Sequence, residues 1–136
     1  MSGLAADELA RIIDATEMAM VTDWVDALPG VVARRFGAEL VRTDGALVLA
    51  VPGAATGLFN RVLGLGVFVP ARRETVRRLV ELYRRLDTPF LVHLNPHARP
   101  AELAGWLEEE GLVRGEEWFT GYRYPIRWRW PTASSP

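Results

Sequence analysis

The 136-residue chain predicts an α/β fold of the α+β kind: a mixed, mostly antiparallel sheet flanked by helices. Three observations carry that prediction. The apolar period changes from about 3.6 residues to about 2 near residue 39, and returns to about 3.6 near residue 72. Asp44-Gly45 sits between two apolar runs and is the dipeptide type that best supplies the positive φ angles of a tight hairpin. Finally, 49% of the residues are hydrophobic and 24% charged, enough apolar material for one core in a chain of this length.

Ala5 to about Thr22 carries Leu9, Ile12, Ile13, Thr16 and Met20 at helical spacing, which predicts an amphipathic helix with that stripe turned to the core. A short second helix is expected from Asp23 to Leu28, Pro29-Gly30 punctuates it, and Val31 to Phe36 reads as a further helical turn. Glu39–Thr43 and Ala46–Val51 are the two strands of the hairpin. Pro52–Gly57 is a loop of small residues. Leu58–Val69 is apolar, contains β-branched valines and carries Gly64 and Gly66, which suits a strand bent or closely approached by other backbone.

From Arg72 to Leu86 the residues Val76, Leu79, Val80, Tyr83 and Leu86 recover the helical period, and Glu74 with Arg78 and Glu81 with Arg85 form i, i+4 pairs outside it. Phe90–Leu94 is a short buried strand, and Pro96–Pro100 interrupts the chain. Pro100 suits the first turn of a helix that points Leu103, Trp106 and Leu107 inward and ends at Gly111. Glu116–Trp130 reads as one or two closing strands. Residues 1–130 are expected to form one domain and residues 131–136 a disordered tail.

Composition removes several function classes. With no cysteine, disulfides and thiolate metal sites are excluded, and two histidines make a poor metal set, so no metal is expected. A formal net charge of -1 speaks against a broad electrostatic grip on nucleic acid. The N-terminus is acidic and periodic, unlike a signal peptide, and no apolar run approaches the roughly 20 residues of a membrane helix. A cytoplasmic protein without membrane or nucleic-acid partners is expected. Every basic side chain other than the histidines is arginine, which reflects genome composition more simply than function.

The order of elements, with FNRVLGLG, FLVHLNP, RPAELAGWLEEEGL and WFTGYR, resembles the GNAT superfamily of acyl-coenzyme A N-acyltransferases. It is most similar to the N-terminal half of tandem GNAT-like proteins, over about Leu9 to Arg123. The resemblance implies a GNAT-like fold in which an antiparallel meander runs into a strand, a helix, a diverging parallel strand and another helix. It also implies that acetyl-coenzyme A is the cofactor if the chain is active. In such tandem proteins the second half commonly carries the acetyl-coenzyme A site and the first is a degenerate copy.

Set against the superfamily's arginine-x-x-glycine-x-glycine loop, the matching place is Val69–Arg78. It offers Pro70 and Arg73, then Val76 and Arg78 where glycines belong. Side chains there crowd the backbone approach that a pyrophosphate needs. The stretch RVLGLG, Arg61 to Gly66, has the right letters but lies several residues too early. Leu107 stands where a proton-donating tyrosine is often found. No Asp or Glu occurs from Ala46 to Arg73 or from Thr88 to Ala101, which leaves His93 as the one group on the Phe90–Leu94 strand that titrates near neutrality.

These comparisons predict a non-catalytic half that packs on a second, catalytic GNAT domain or on itself, and that holds acetyl-coenzyme A only if the chain is active. Two alternatives stay open. One is a stand-alone acetyltransferase with His93 as base and Ala71, Arg72 and Arg73 at the cofactor. The other is a binding module whose ligand cleft lies between the Leu58–Val69 and Phe90–Leu94 strands, with Asn60, Arg61 and Asn95 as candidates. Trp118–Trp130 alternates aromatics with Arg123, Arg127 and Arg129. That pattern is open to base stacking, but reads more simply as a half-buried strand or a docking strand.

Overall fold

A computed structural model describes residues 5–115 and 118–120. Among them are α-helices α1 (Ala6–Asp26), α2 (Gly30–Phe36), α3 (Arg73–Leu86) and α4 (Leu103–Glu109). The strands are β1 (Glu39–Thr43), β2 (Ala46–Ala50), β3 (Arg61–Leu63), β4 (Leu91–His93), β5 (Val113–Arg114) and β6 (Trp118–Thr120). They form one sheet in the order β1-β2-β3-β4-β6-β5. Only β3 and β4 run parallel, and α3 makes the crossover between them. The chain is a mixed α/β fold with helices flanking the sheet.

The hairpin forms where expected. Thr43 pairs with Ala46, and Asp44 and Gly45 take φ angles of 47° and 77°, the two positive values of a tight two-residue turn. All five residues of β2 are buried because both faces of the sheet are covered. On one face Ala46, Val48, Val62, Val92 and Phe119 meet Val76, Leu79, Val80 and Tyr83 of α3 and Leu103 and Leu107 of α4. On the other, Leu47, Leu49, Val51 and Leu63 meet Met18 and Val21 of α1. Tyr83 lies in the first core, stacks on Phe90 at 4.4 Å between ring centroids, and donates its hydroxyl proton to the Leu49 carbonyl at 2.6 Å.

Several expectations require correction. Helix α1 runs unbroken through Asp26, so there is no separate helix from Asp23, since nothing between Thr22 and Asp23 interrupts the main-chain ladder. It also presents the opposite face. Ala10, Asp14, Met18 and Val21 are buried, whereas Leu9, Ile12, Ile13 and Met20 stand 47–65% exposed. The Met18 face turns inward where α1 meets the chain just beyond β3, at Gly64, whose added Cβ would sit 2.8 Å from Met18 Sδ.

Leu58–Val69 is not one strand. A 3₁₀ turn over Gly57–Phe59 precedes the three residues of β3, and Gly64 and Gly66, at φ 79° and 77°, then turn the chain. Helix α4 begins at Leu103 rather than Pro100, and Trp106 is half-buried beneath Arg73 while Leu107 is fully buried. Of Glu116–Trp130, strand β6 covers Trp118–Thr120. The arginine-aromatic alternation beyond it and the expected tail lie outside the described residues.

Candidate functional site

Three places bring chemistry-bearing side chains together. The first is the start of α3. The turn residue Asp44 reaches across to it and accepts a hydrogen bond from Arg72 Nε at 2.9 Å and another from the Thr75 hydroxyl. The Thr75 bond and the Arg72 guanidinium hold the Asp44 carboxyl below the usual carboxylate range, and Asp44 in turn raises Arg72. A carboxylate at the positive end of a helix is favoured by the aligned peptide dipoles. Arg73 pairs with Glu109 and lies 5.9 Å from the Trp106 ring centroid. Ala71 is buried, and its N–H donates to the Arg99 carbonyl at 2.8 Å.

The same loop closes the gap between β3 and β4. Beyond Val62 and Val92 the two strands stop pairing, but the Arg99 N–H donates to the Gly66 carbonyl at 2.9 Å. A Cβ on Gly66 would lie 2.6 Å from the Arg99 carbonyl oxygen. The backbones on either side of the gap are thus in contact, which is what the glycines of RVLGLG permit.

The second place is buried and polar. Asp14 of α1 is 1% exposed and lies beside His93 at the end of β4, Asn95 and the Gly64 main chain. Burial pushes its carboxyl up, while His93, Asn95 and Gly64 act in the opposite sense and Glu17 reinforces burial. Its Oδ2 has no hydrogen-bond partner. His93 and Asn95 are therefore brought together, with an acid of α1 that lies off the Leu9, Ile12, Ile13, Thr16 and Met20 stripe expected to face the core. The i, i+4 series Ala10, Asp14, Met18 held the signal, but hydropathy ranks the Leu9–Ile13 stripe above it. Asn95 also accepts from the His97 N–H at 2.9 Å and borders a groove of about 480 Å3 with Arg99 and Arg114.

The third place separates Asn60 from Arg61. Asn60 is fully buried and serves the loop. Its Oδ1 accepts from the Val51 N–H at 2.7 Å, and its amide donates to the carbonyls of Val51, Ala54 and Thr56. Arg61 instead lines a groove of about 310 Å3 between α1 and the sheet, with Trp24, Leu49 and Phe59.

Among the described residues there is no group of three or more His, Cys, Asp or Glu placed to hold a metal ion. No helix among them is long and apolar enough to cross a membrane. The described tyrosine, Tyr83, is committed to the core and its phenol is pushed far up by burial, so it is no proton donor for a reaction.

No family model matches the sequence, and no solved structure matches it. A stretch of 55 residues, 38% of this chain, is 44% identical to an L-Lys-D/L-Arg epimerase of Methylococcus capsulatus. That stretch amounts to 15% of the epimerase, so the chain spans a small part of the curated relative it matches.

Proposed function

We propose that this chain is a GNAT-like domain that has lost acyl transfer and acts as a structural half, packing on a catalytic acetyl-coenzyme A-dependent partner domain. The observation that carries the reading is the Asp44 carboxylate seated against Arg72 and Thr75 at the start of α3. In an acyl-coenzyme A enzyme of this type the pyrophosphate lies at that helix end. An internal carboxylate takes that place and repels any phosphate approaching it.

Other features support the reading. The antiparallel β1-β2-β3 meander followed by α3 and a parallel β4 supports it, since the resemblance implies a meander, a helix and a parallel strand in that sequence. The Gly66 and Arg99 backbones meet where a pantetheine arm would enter between diverging strands. The exposed ridge Leu9, Ile12, Ile13 and Met20 provides an apolar surface for a second domain to cover. The short match to the epimerase includes too little of that protein to bring its activity into the reading.

A second reading, acyl transfer with His93 as general base, draws support from one observation, the Asp14 carboxyl beside the imidazole. A carboxyl that burial pushes toward its neutral form is a weak partner for an imidazolium, which ranks this reading second. Calorimetric titration with acetyl-coenzyme A separates them. The structural half gives no saturable heat at micromolar cofactor, whereas the enzyme binds and then turns over an amine acceptor with loss of rate in His93→Ala.

A further inference from the structure

Arg61 occupies a position where the sheet otherwise wants an apolar residue. It lies across from Leu49 on β2 and beside Leu91 on β4, and the next residue on its face, Leu63, is buried in the core. Its Nε is buried and has no hydrogen-bond partner. Among the described residues its guanidinium is in no ion pair, although the other ion pairs of the chain use arginines at the surface. A buried guanidinium donor without an acceptor is costly, and such a group is usually completed by an anion.

The surroundings indicate what kind of anion. The groove above Arg61 holds about 310 Å3, the lower end of the size range of small-molecule pockets. Buried Leu49 and Val21 are part of its lining. Trp24 and Phe59 make one wall, stacked with ring centroids 5.6 Å apart and planes 19° from parallel. Met20 and Leu58, 65% and 62% exposed, form the rim. One planar cation in an otherwise apolar and aromatic lining suits a single carboxylate on an aromatic body, which takes the fork of the guanidinium through two oxygens.

We infer that the groove between α1 and strands β2 and β3 is a binding site for a small aromatic carboxylate, with Arg61 holding the carboxylate and the Trp24–Phe59 wall holding the ring. The site is separate from the start of α3 and stands whether or not the chain has lost acyl transfer.

The test is calorimetry of the intact chain with 3-phenylpropanoate and with its methyl ester, repeated on Arg61→Gln and Arg61→Lys. The acid is expected to bind saturably and about tenfold or more tighter than the ester, the effect of one charge-assisted contact. Arg61→Gln lowers acid binding to the level of the ester and leaves ester binding unchanged, and Arg61→Lys falls between. Equal binding of acid and ester to the natural chain overturns the assignment, as does no saturable binding of the acid below about 5 mM. Both comparisons on the natural chain decide the matter even if Arg61→Gln does not fold.

Discussion

The carboxylate of Asp44 and the guanidinium of Arg72, 28 residues apart in sequence, meet at 2.9 Å and tie the β1–β2 turn to the first turn of α3. Thr75 completes the contact, and Arg78 reaches the neighbouring Thr43 hydroxyl at 3.4 Å. A turn residue with a positive φ thereby becomes the counter-charge of a helix N-terminus.

The first prediction concerns the pH dependence of that contact. Asp44 has a folded-state pKa below its ordinary 3.8, so its contribution to stability is fully present above that value. It is lost as pH falls through the lower folded value. Asp44→Asn is expected to unfold at lower denaturant than the natural chain at pH 7, with the difference closing as the pH falls below 3.8 through the lower folded value. A difference that stays constant down to pH 2 would show that charge is not what Asp44 contributes.

Asp14 behaves in the opposite sense. Its folded-state pKa is raised above 3.8 by burial, so its stabilising contribution is fully present below 3.8 and is lost as pH rises through the folded value. Asp14→Asn removes the buried charge and is expected to be the more stable form at pH 7. Its advantage shrinks as the pH is lowered toward 3.8. Denaturant melts of both proteins across this range measure the effect, and a less stable Asp14→Asn at pH 7 contradicts it.

Two glycines give a paired prediction. Gly66 has φ 77°, and a Cβ there would lie 2.6 Å from the Arg99 carbonyl oxygen, so Gly66→Ala should destabilise by about 1–3 kcal/mol or more. Gly105 lies inside α4 with nothing within 4 Å of its would-be Cβ. Gly105→Ala should stabilise by about 0.5–1 kcal/mol. Thermal melts that gave both variants the same sign would reject this account of the β3–α3 loop.

How much of this was legible in the sequence differs from element to element. The hairpin was, because Asp44-Gly45 acts locally through its own backbone angles. Helix α3 was nearly so, since its apolar and charged residues separate cleanly around the helix, and it closes at Asp87 with φ 53°. The face of α1 was not. Hydropathy favours Leu9, Ile12 and Ile13 as core, and only the packing of α1 on Gly64 explains why Asp14 and Met18 turn inward instead. Leu58–Val69 misled for a related reason, because glycines that suit a bent strand suit a left-handed turn equally well. Neither the meeting of Asp44 with Arg72 nor that of Asp14 with His93 has a local signature, since each joins elements far apart in the chain.

The outward face of α1 yields a further prediction. Ile12 and Ile13 are 49% and 48% exposed, so replacing both by Glu should shift the unfolding free energy by no more than about 0.5 kcal/mol. With no partner domain present, the natural chain should self-associate through this ridge, and the double variant should not. Light scattering across concentration checks the point. A monomeric natural chain, or a variant that loses several kcal/mol, places the ridge elsewhere.

The most direct measurement of the central claim is residue-resolved: amide nitrogen–proton NMR spectra of the chain during titration with acetyl-coenzyme A. If Asp44 fills the place of the phosphates, the amides from Ala71 to Val76 hold their positions up to millimolar cofactor, as does Asp44 itself. Saturable shifts confined to Ala71–Val76 and the Gly66–Arg99 contact would contradict the account and return the chain to the acyl-coenzyme A-binding enzymes.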